Sequence, residues 1–273
     1  MESNDKKPSG LLNVATGKEH FTLDLHLPSS ALAQHIEHYW IINWDLRGQE
    51  PYISENLPHP SVHLVIEKDF FQNQSRIMGI VKEKFSIKLE EKGFVFGIKF
   101  RPGAAFPFVK IPTYEYTGLS IPAQELFGTE INPFKQAILS QHNQEEMVKL
   151  AEAFLHSRMP EQDETLLLIN RMIERIKTDS KITTVADISN IFHITVRSLQ
   201  RIFKTYVGVS PKWVIRRYRL LEIADLLAKG QPQSWHQIVS ELGYYDQSHL
   251  IKDFKNIVGH SPEQYIKMNK KLL

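Results

Sequence analysis

The 273-residue chain contains no cysteine, which removes disulfides, thiolate metal sites and cysteine nucleophiles together. It has no apolar run approaching the roughly 18 residues that suggest a membrane-spanning helix. Its first ten residues are polar and carry no signal-peptide pattern. The expectation is a frayed N-terminus on a cytoplasmic protein that meets no membrane. Net charge is nearly absent too, at +2, but what there is lies unevenly. Segment 163–273 holds 17 Lys and Arg against 11 Asp and Glu, whereas 1–162 holds 16 against 20. Such a split suggests that only the C-terminal part meets a polyanion. With 42% apolar and 23% charged residues the composition is that of a globular protein, and the length suits about two domains.

What the chain does have is a repeat. Leu199, Phe203, Lys204, Gly208, Ser210 and Pro211 recur 51 positions later as Leu250, Phe254, Lys255, Gly259, Ser261 and Pro262. Upstream the offset is 50, pairing Ile188 with Ile238 and Phe192 with Leu242. The second copy therefore carries one extra residue near Gly243-Tyr244-Tyr245, and a one-residue change between helical blocks belongs in a turn.

Ahead of the repeat, apolar and polar residues alternate with period two over 21–27, 62–66 and 94–100. Shorter β-rich stretches lie at 39–46, 76–81 and 85–89, so that six strands are predicted. A short helix is expected over 31–36, and the helical period begins near Ile121, with helices over 122–127, 132–140 and 145–158. Met159-Pro160-Glu161 stops the last of these. The fold class is α+β in two domains: an antiparallel β-barrel or roll with covering helices over 1–162, and an all-α domain of seven helices over 163–273.

In the second domain Leu166, Ile169, Ile173 and Ile176 form one helical stripe. Thr184 with Asp187, Thr195, Ser234 with Gln237, Asp246, and Ser261 with Gln264 are helix-opening signals. Ser210-Pro211 opens a long helix reaching Ala228, which Gly230 and Pro232 end.

The chemistry lies on the faces of the repeated helix. Val196, Leu199, Ile202, Phe203 and Tyr206 make an apolar stripe opposite Arg197, Gln200, Arg201 and Lys204. The second copy sets Leu250, Phe254 and Val258 against Gln247, Ser248, His249, Lys252 and Lys255. The second helix of a helix-turn-helix needs this division, because one side packs on its own domain while the other lies in the major groove. Arginine matches guanine O6 and N7, and glutamine matches adenine N6 and N7. Lys204, Lys255 and Arg216 are expected to contact phosphates or to be solvated charge. On the long helix, Arg217 is a further candidate for the DNA backbone, and Arg219 has Glu222 in reach as an ion-pair partner.

The run Ser198-Leu199-Gln200-Arg201-Ile202-Phe203-Lys204 with Gly208-Val209-Ser210-Pro211 resembles the signature of the AraC/XylS transcriptional regulators. So does its counterpart, Asp246-Gln247-Ser248-His249-Leu250 with Phe254-Lys255, Gly259-His260-Ser261-Pro262 and Tyr265. The resemblance covers about 165–268 and implies two helix-turn-helix units bridged by the long helix, reading successive major-groove segments of double-stranded DNA. Carried over position by position, it makes Arg197, Gln200 and Arg201 base-facing in the first unit and Gln247, Ser248 and Lys252 base-facing in the second. More faintly, Leu57-Pro58-His59-Pro60 through Ile66, and Gly97 through Ala104, resemble the cupin-like sensor domain of some of these regulators. That implies a domain that binds a small-molecule effector, dimerises, or does both, with RNA polymerase as a further partner.

Trp44, His59 and Arg101 are the candidates for effector contact. Trp40, Trp44, Phe94, Phe96 and Phe106 serve either as core or as pocket lining. His35 with His38, and His59 with His63, gain no third ligand at a convincing spacing, so no metal and no cofactor are assigned. The reading is a sequence-specific regulator and not an enzyme. Two alternatives stay open: a catalytic cupin addressed by a DNA-binding domain, and an architectural DNA binder without sequence preference.

Overall fold

Alternation along 94–100 dictates a strand with two unlike faces, and that strand is the centre of the sheet. The computed structural model describes residues 19–68, 73–230 and 234–270; the segment 1–10 and Pro232 lie outside them. Among the described residues eight strands form: β1 (Thr22–His26), β2 (Ile36–Asp45), β3 (Tyr52–Asn56), β4 (His63–Lys68), β5 (Asn73–Met78), β6 (Phe85–Leu89), β7 (Lys92–Phe100) and β8 (Ser120–Pro122). Six of them pair antiparallel in the order β1-β2-β7-β4-β5-β8, and β3 with β6 makes a separate two-stranded ribbon. The result is an open roll, not a closed barrel.

Two of these strands, β3 and β8, are too short and polar to show a period in the sequence. The expected helix over 31–36 is instead a series of turns, and Ile36 already belongs to β2. A bulge between Ile36 and His38 then re-phases the strand, so that Tyr39 and Ile41 join Leu64, Ile66, Phe96 and Ile98 on a buried face.

Helices cover that face. After α1 (Ala105–Val109) and a 3-10 turn (Thr113–Tyr116) come α2 (Ala123–Phe127), α3 (Ile131–Ser140) and α4 (Gln144–His156). Phe134 of α3 stacks on Phe154 of α4 at 4.4 Å between ring centroids. Tyr39 reaches from the sheet to Glu152 of α4, and burial together with that carboxylate pushes its phenol well above the ordinary range.

The C-terminal part is helical throughout its described residues: α5 (Glu164–Thr178), α6 (Val185–Ile191), α7 (Val196–Ile202), α8 (Pro211–Ala228), α9 (Trp235–Glu241), α10 (Gln247–Val258) and α11 (Pro262–Lys270). The expected caps form. Thr184 and Asp187 close a reciprocal box, as do Ser261 and Gln264, while Ser210 Oγ accepts from the Trp213 amide beside Pro211 at the first helical position. Arg219 reaches Glu222 at 3.2 Å, as its spacing suggested.

Hydrophobic contacts do not follow the chain's division near 162. One cluster runs from Leu32 in the sheet domain through α5 to Ile215 in α8. A second, from Leu220 to Val258, belongs to the second helix-turn-helix unit.

The face of the sheet opposite the helices carries Trp40 and Trp44 on β2, paired in register with Gly97 and Gly93 of β7. A Cβ at Gly97 would stand 2.0 Å from the Trp40 indole, and one at Gly93 would stand 2.2 Å from that of Trp44. The glycines are the space in which the two indoles lie. Gly97→Ala is therefore expected to displace Trp40 and cost about 1–3 kcal/mol of unfolding free energy, as overpacking does. Urea denaturation followed by tryptophan fluorescence measures it, and unchanged stability would contradict this packing.

Candidate nucleic-acid interface and effector cavity

Each unit of the repeat consists of a helix, a turn and a second helix: α6 and α7 in the first, α9 and α10 in the second. Four residues separate α6 from α7 and five separate α9 from α10, which puts the extra residue in the turn. Both turns pass through the left-handed region, at His193 (φ 50°) in the first unit and Gly243 (φ 62°) in the second.

Thr195 and Asp246 cap α7 and α10 by accepting the amides of Ser198 and His249. Beyond these caps, Arg197, Gln200 and Arg201 are exposed on α7, and Gln247, Ser248 and Lys252 are exposed on α10. Leu199, Phe203, Leu250 and Phe254 are fully buried behind them. Lys204 and Lys255 are also exposed, with the Lys204 ammonium 4.5 Å from the centre of the Tyr114 ring.

Two arginines of α8, Arg216 and Arg217, depart from expectation. Arg216 meets Asp253 at 3.3 Å and lies over the Tyr244 ring at 4.3 Å, with its side chain only 17% exposed. It ties α8 to the second unit and is not a free phosphate contact. Arg217 is 2% exposed, and its Nε donates to the carbonyl of Pro58 in the sheet domain, which removes it from any DNA surface. Burial lowers its pKa, while Tyr218 and Glu37 favour its charge.

The sheet domain touches both units at the same part of the repeat. In the first, α7 continues into a π-helical turn over Phe203–Val207 that ends at Gly208 with φ 84°. Thr113 Oγ1 donates to the Tyr206 carbonyl at 2.6 Å, and Thr117 Oγ1 donates to that of Gly208 at 3.0 Å. Tyr206 also packs its ring, tilted, against Phe106 of α1 and donates its hydroxyl to Asp163, the cap of α5. In the second unit the Lys84 amide donates to the Asn256 carbonyl at 2.7 Å, and His260 Nε2 lies 3.8 Å from Glu55. Both grips fall around the turn that follows the exposed helix, so the polar faces of α7 and α10 stay uncovered.

A cavity of about 310 Å³ lies between the large sheet and the β3–β6 ribbon. The sheet's period of two builds its floor in rows. His38, Lys99 and His63 stand side by side on β2, β7 and β4; one row on are Trp40, Gly97 and Val65; the next is Ile42, Val95 and Glu67. Phe85, Ile87 and Leu89 of β6 face them from the ribbon. His59, in the loop from β3 to β4, closes the basic end, its ring 4.6 Å from that of His63.

Lys99 donates to Glu37 at 3.2 Å. Burial pushes the Glu37 carboxyl upward, but Lys99, Lys177 and His38 together outweigh burial and hold it below its ordinary value. Burial, seconded by Lys99, lowers His38 to about 4, and it drives His59 and His63 well below the ordinary imidazole value. All three rings are therefore neutral at pH 7.

Of the expected effector residues, Trp44 and His59 line this cavity and Arg101 does not. Its Nε donates to the Ala33 carbonyl at 2.6 Å and its amide to the His35 carbonyl, so it braces the turns before β2. Phe96 lies in the helix-covered core, and Phe106 packs against the first unit. In the sequence His38 and His63 are weighed only as metal ligands, and Lys99 is not singled out, because a cross-strand row is visible only once the register is known. Among the described residues no group of three or more His, Asp or Glu converges as a metal site.

Residues 24–122 match a domain of unknown function (DUF6597), and residues 188–268 match a helix-turn-helix domain. An uncharacterized HTH-type transcriptional regulator of Haemophilus influenzae is 42% identical over 67 residues, covering 24% of this chain and 22% of that protein. The uncharacterized HTH-type transcriptional regulator YfiF of Bacillus subtilis is 25% identical over 138 residues, 48% of this chain and 43% of that one. The chain thus spans less than half the length of either relative. Among solved structures, ToxT of Vibrio cholerae is 13% identical with a TM-score of 0.34, over 91% of this chain and 98% of that chain. The helix-turn-helix match spans both units of the repeat, and the DUF6597 match spans the strands of the sheet domain.

Proposed function

We propose that the chain is a sequence-specific DNA-binding transcriptional regulator whose α7 and α10 enter successive major-groove segments, and whose N-terminal cavity takes a small-molecule effector. The observation that carries this reading is the pair of capped helices with buried apolar backs and uncovered polar faces. Base reading is assigned to Arg197, Gln200 and Arg201 in the first unit and to Gln247, Ser248 and Lys252 in the second. Lys204 and Lys255 neutralise phosphates, which carry affinity without sequence information. Readout is stronger in the first unit, because no exposed arginine stands on α10. A small molecule shifts DNA binding only if it prefers one arrangement of the two units, and the matched grips on the two post-helix turns are a physical means to that end. RNA polymerase and a second copy of the chain are the further partners assigned to such a regulator.

Selection of bound duplexes from a random pool is expected to return two half-sites about one helical turn apart, near 34 Å centre to centre. Recovery of unrelated sequences would favour an architectural binder instead. Arg201→Ala is expected to lose about 1–3 kcal/mol of discrimination at one base pair. Equal losses on selected and random duplexes, measured by competition, would remove its base-reading role. Lys255→Ala should weaken all duplexes alike and reduce the slope of log affinity against log salt by about one. An unchanged slope would mean that this ammonium meets no phosphate.

A further inference from the structure

The second copy of the repeat carries one extra residue near Gly243-Tyr244-Tyr245, and the backbone of the two turns identifies it. In the first unit the Ile194 amide donates to the Ser189 carbonyl at 3.1 Å, and in the second the Tyr244 amide donates to that of Val239 at 2.9 Å. These matching bonds stand at the 50-residue offset. The caps that follow, Thr195 and Asp246, already stand at the 51-residue offset. The residue without a counterpart is Tyr245.

Its side chain packs nothing. A hydrophobic residue just ahead of a helix cap often packs on the fourth helical residue, which in α10 is Leu250. The inward place is taken instead by Tyr244, which is 6% exposed, lies beneath Arg216 and meets His249 edge-on at 5.6 Å. Tyr245 is 92% exposed, more than any other large apolar side chain among the described residues. It stands directly ahead of Asp246 and the exposed Gln247 and Ser248.

The charge around it narrows the partner. From Ser234 to Leu250 the second unit has two carboxylates, Glu241 and Asp246, and no Lys or Arg, whereas the matching stretch of the first unit has Arg197. Glu241 accepts from Gln237 at 2.7 Å, and Asp246 accepts from the His249 amide at 2.8 Å. The first Lys of α10 is Lys252, more than one helical turn further on. Histidines aside, the leading edge of this unit therefore meets a polyanion without a cation. What the extra residue supplies there is a phenol O–H, a donor that carries no charge.

Tyrosine hydroxyls are among the groups that hold DNA phosphates and fix register without reading sequence. We propose that Tyr245 donates its hydroxyl to a backbone phosphate flanking the bases read by α10, as an uncharged anchor for the unit whose readout is weaker. The contact rests on the regulator reading, because it requires α10 in the major groove. It adds a DNA-binding residue that the first copy of the repeat does not possess.

Affinity of the full chain for a duplex recovered from a random pool, measured over a range of salt, tests this. Tyr245→Phe removes only the hydroxyl. It is expected to weaken binding about tenfold and to leave base preference unchanged. The slope of log affinity against log salt should also stay unchanged, because a neutral donor releases no counterion. Tyr245→Arg is expected to restore binding at low salt and to steepen the slope by about one. Methylphosphonates placed singly along the half-site of α10 locate the phosphate: at one position the wild-type chain should lose about tenfold more than Tyr245→Phe. Undiminished binding by Tyr245→Phe, or equal losses by both chains at every methylphosphonate, would overturn the contact. So would a loss confined to Tyr245→Ala with altered preference at one T·A pair, which gives the ring to a thymine methyl instead. A wild-type chain that binds no duplex removes the regulator reading and the contact together, whereas binding indifferent to Tyr245→Phe removes the contact alone.

Discussion

A guanidinium withdrawn from water with a backbone carbonyl as its hydrogen-bond partner is costly to bury, and Arg217 is in that position. Its bond to Pro58 joins the long helix that spaces the two helix-turn-helix units to the loop that closes the N-terminal cavity. Neither partner is free to move alone. Displacing the loop would strand the charge, and displacing the helix would strand the carbonyl. The arrangement of the two halves is therefore held by a polar contact with a large penalty for partial loss, beside the apolar packing of Tyr206 on Phe106.

The helical half was legible because its signals are local. Caps such as Thr184, Ser210 and Asp246 act within one turn of helix, and apolar stripes repeat at the helical period. The 51-residue echo and the slip to 50 even located the longer turn. What local signals do not carry is the fate of long side chains. Arg216, Arg217 and Arg219 look alike on one helix, yet each is claimed by a different distant partner: Asp253, Pro58, and the carbonyls of Ile176 and Asp179.

The sheet half was legible strand by strand and not beyond. Phe96 and Ile98 announce the central strand, but pairing Trp40 with Gly97 and His63 with Lys99 requires the register, which links residues more than thirty positions apart. The bulge at Ile36 to His38 decides which face of β2 meets the cavity, and no residue type in that segment signals it. Arg101 drew attention by standing at a strand end before a turn, and that position is also where a structural brace is needed.

The two largest hydrophobic clusters divide the molecule differently from its chain order. The boundary falls inside α8, between Ile215 and Leu220, and not at the linker before Asp163. Energetic cooperativity follows packing rather than sequence. The first helix-turn-helix unit therefore shares its apolar packing with the sheet domain, while the second has a cluster of its own, joined to the rest through α8 and polar contacts such as that of Lys84 with Asn256. A packing defect inside one core therefore reaches the other through α8, whose two ends belong to different clusters.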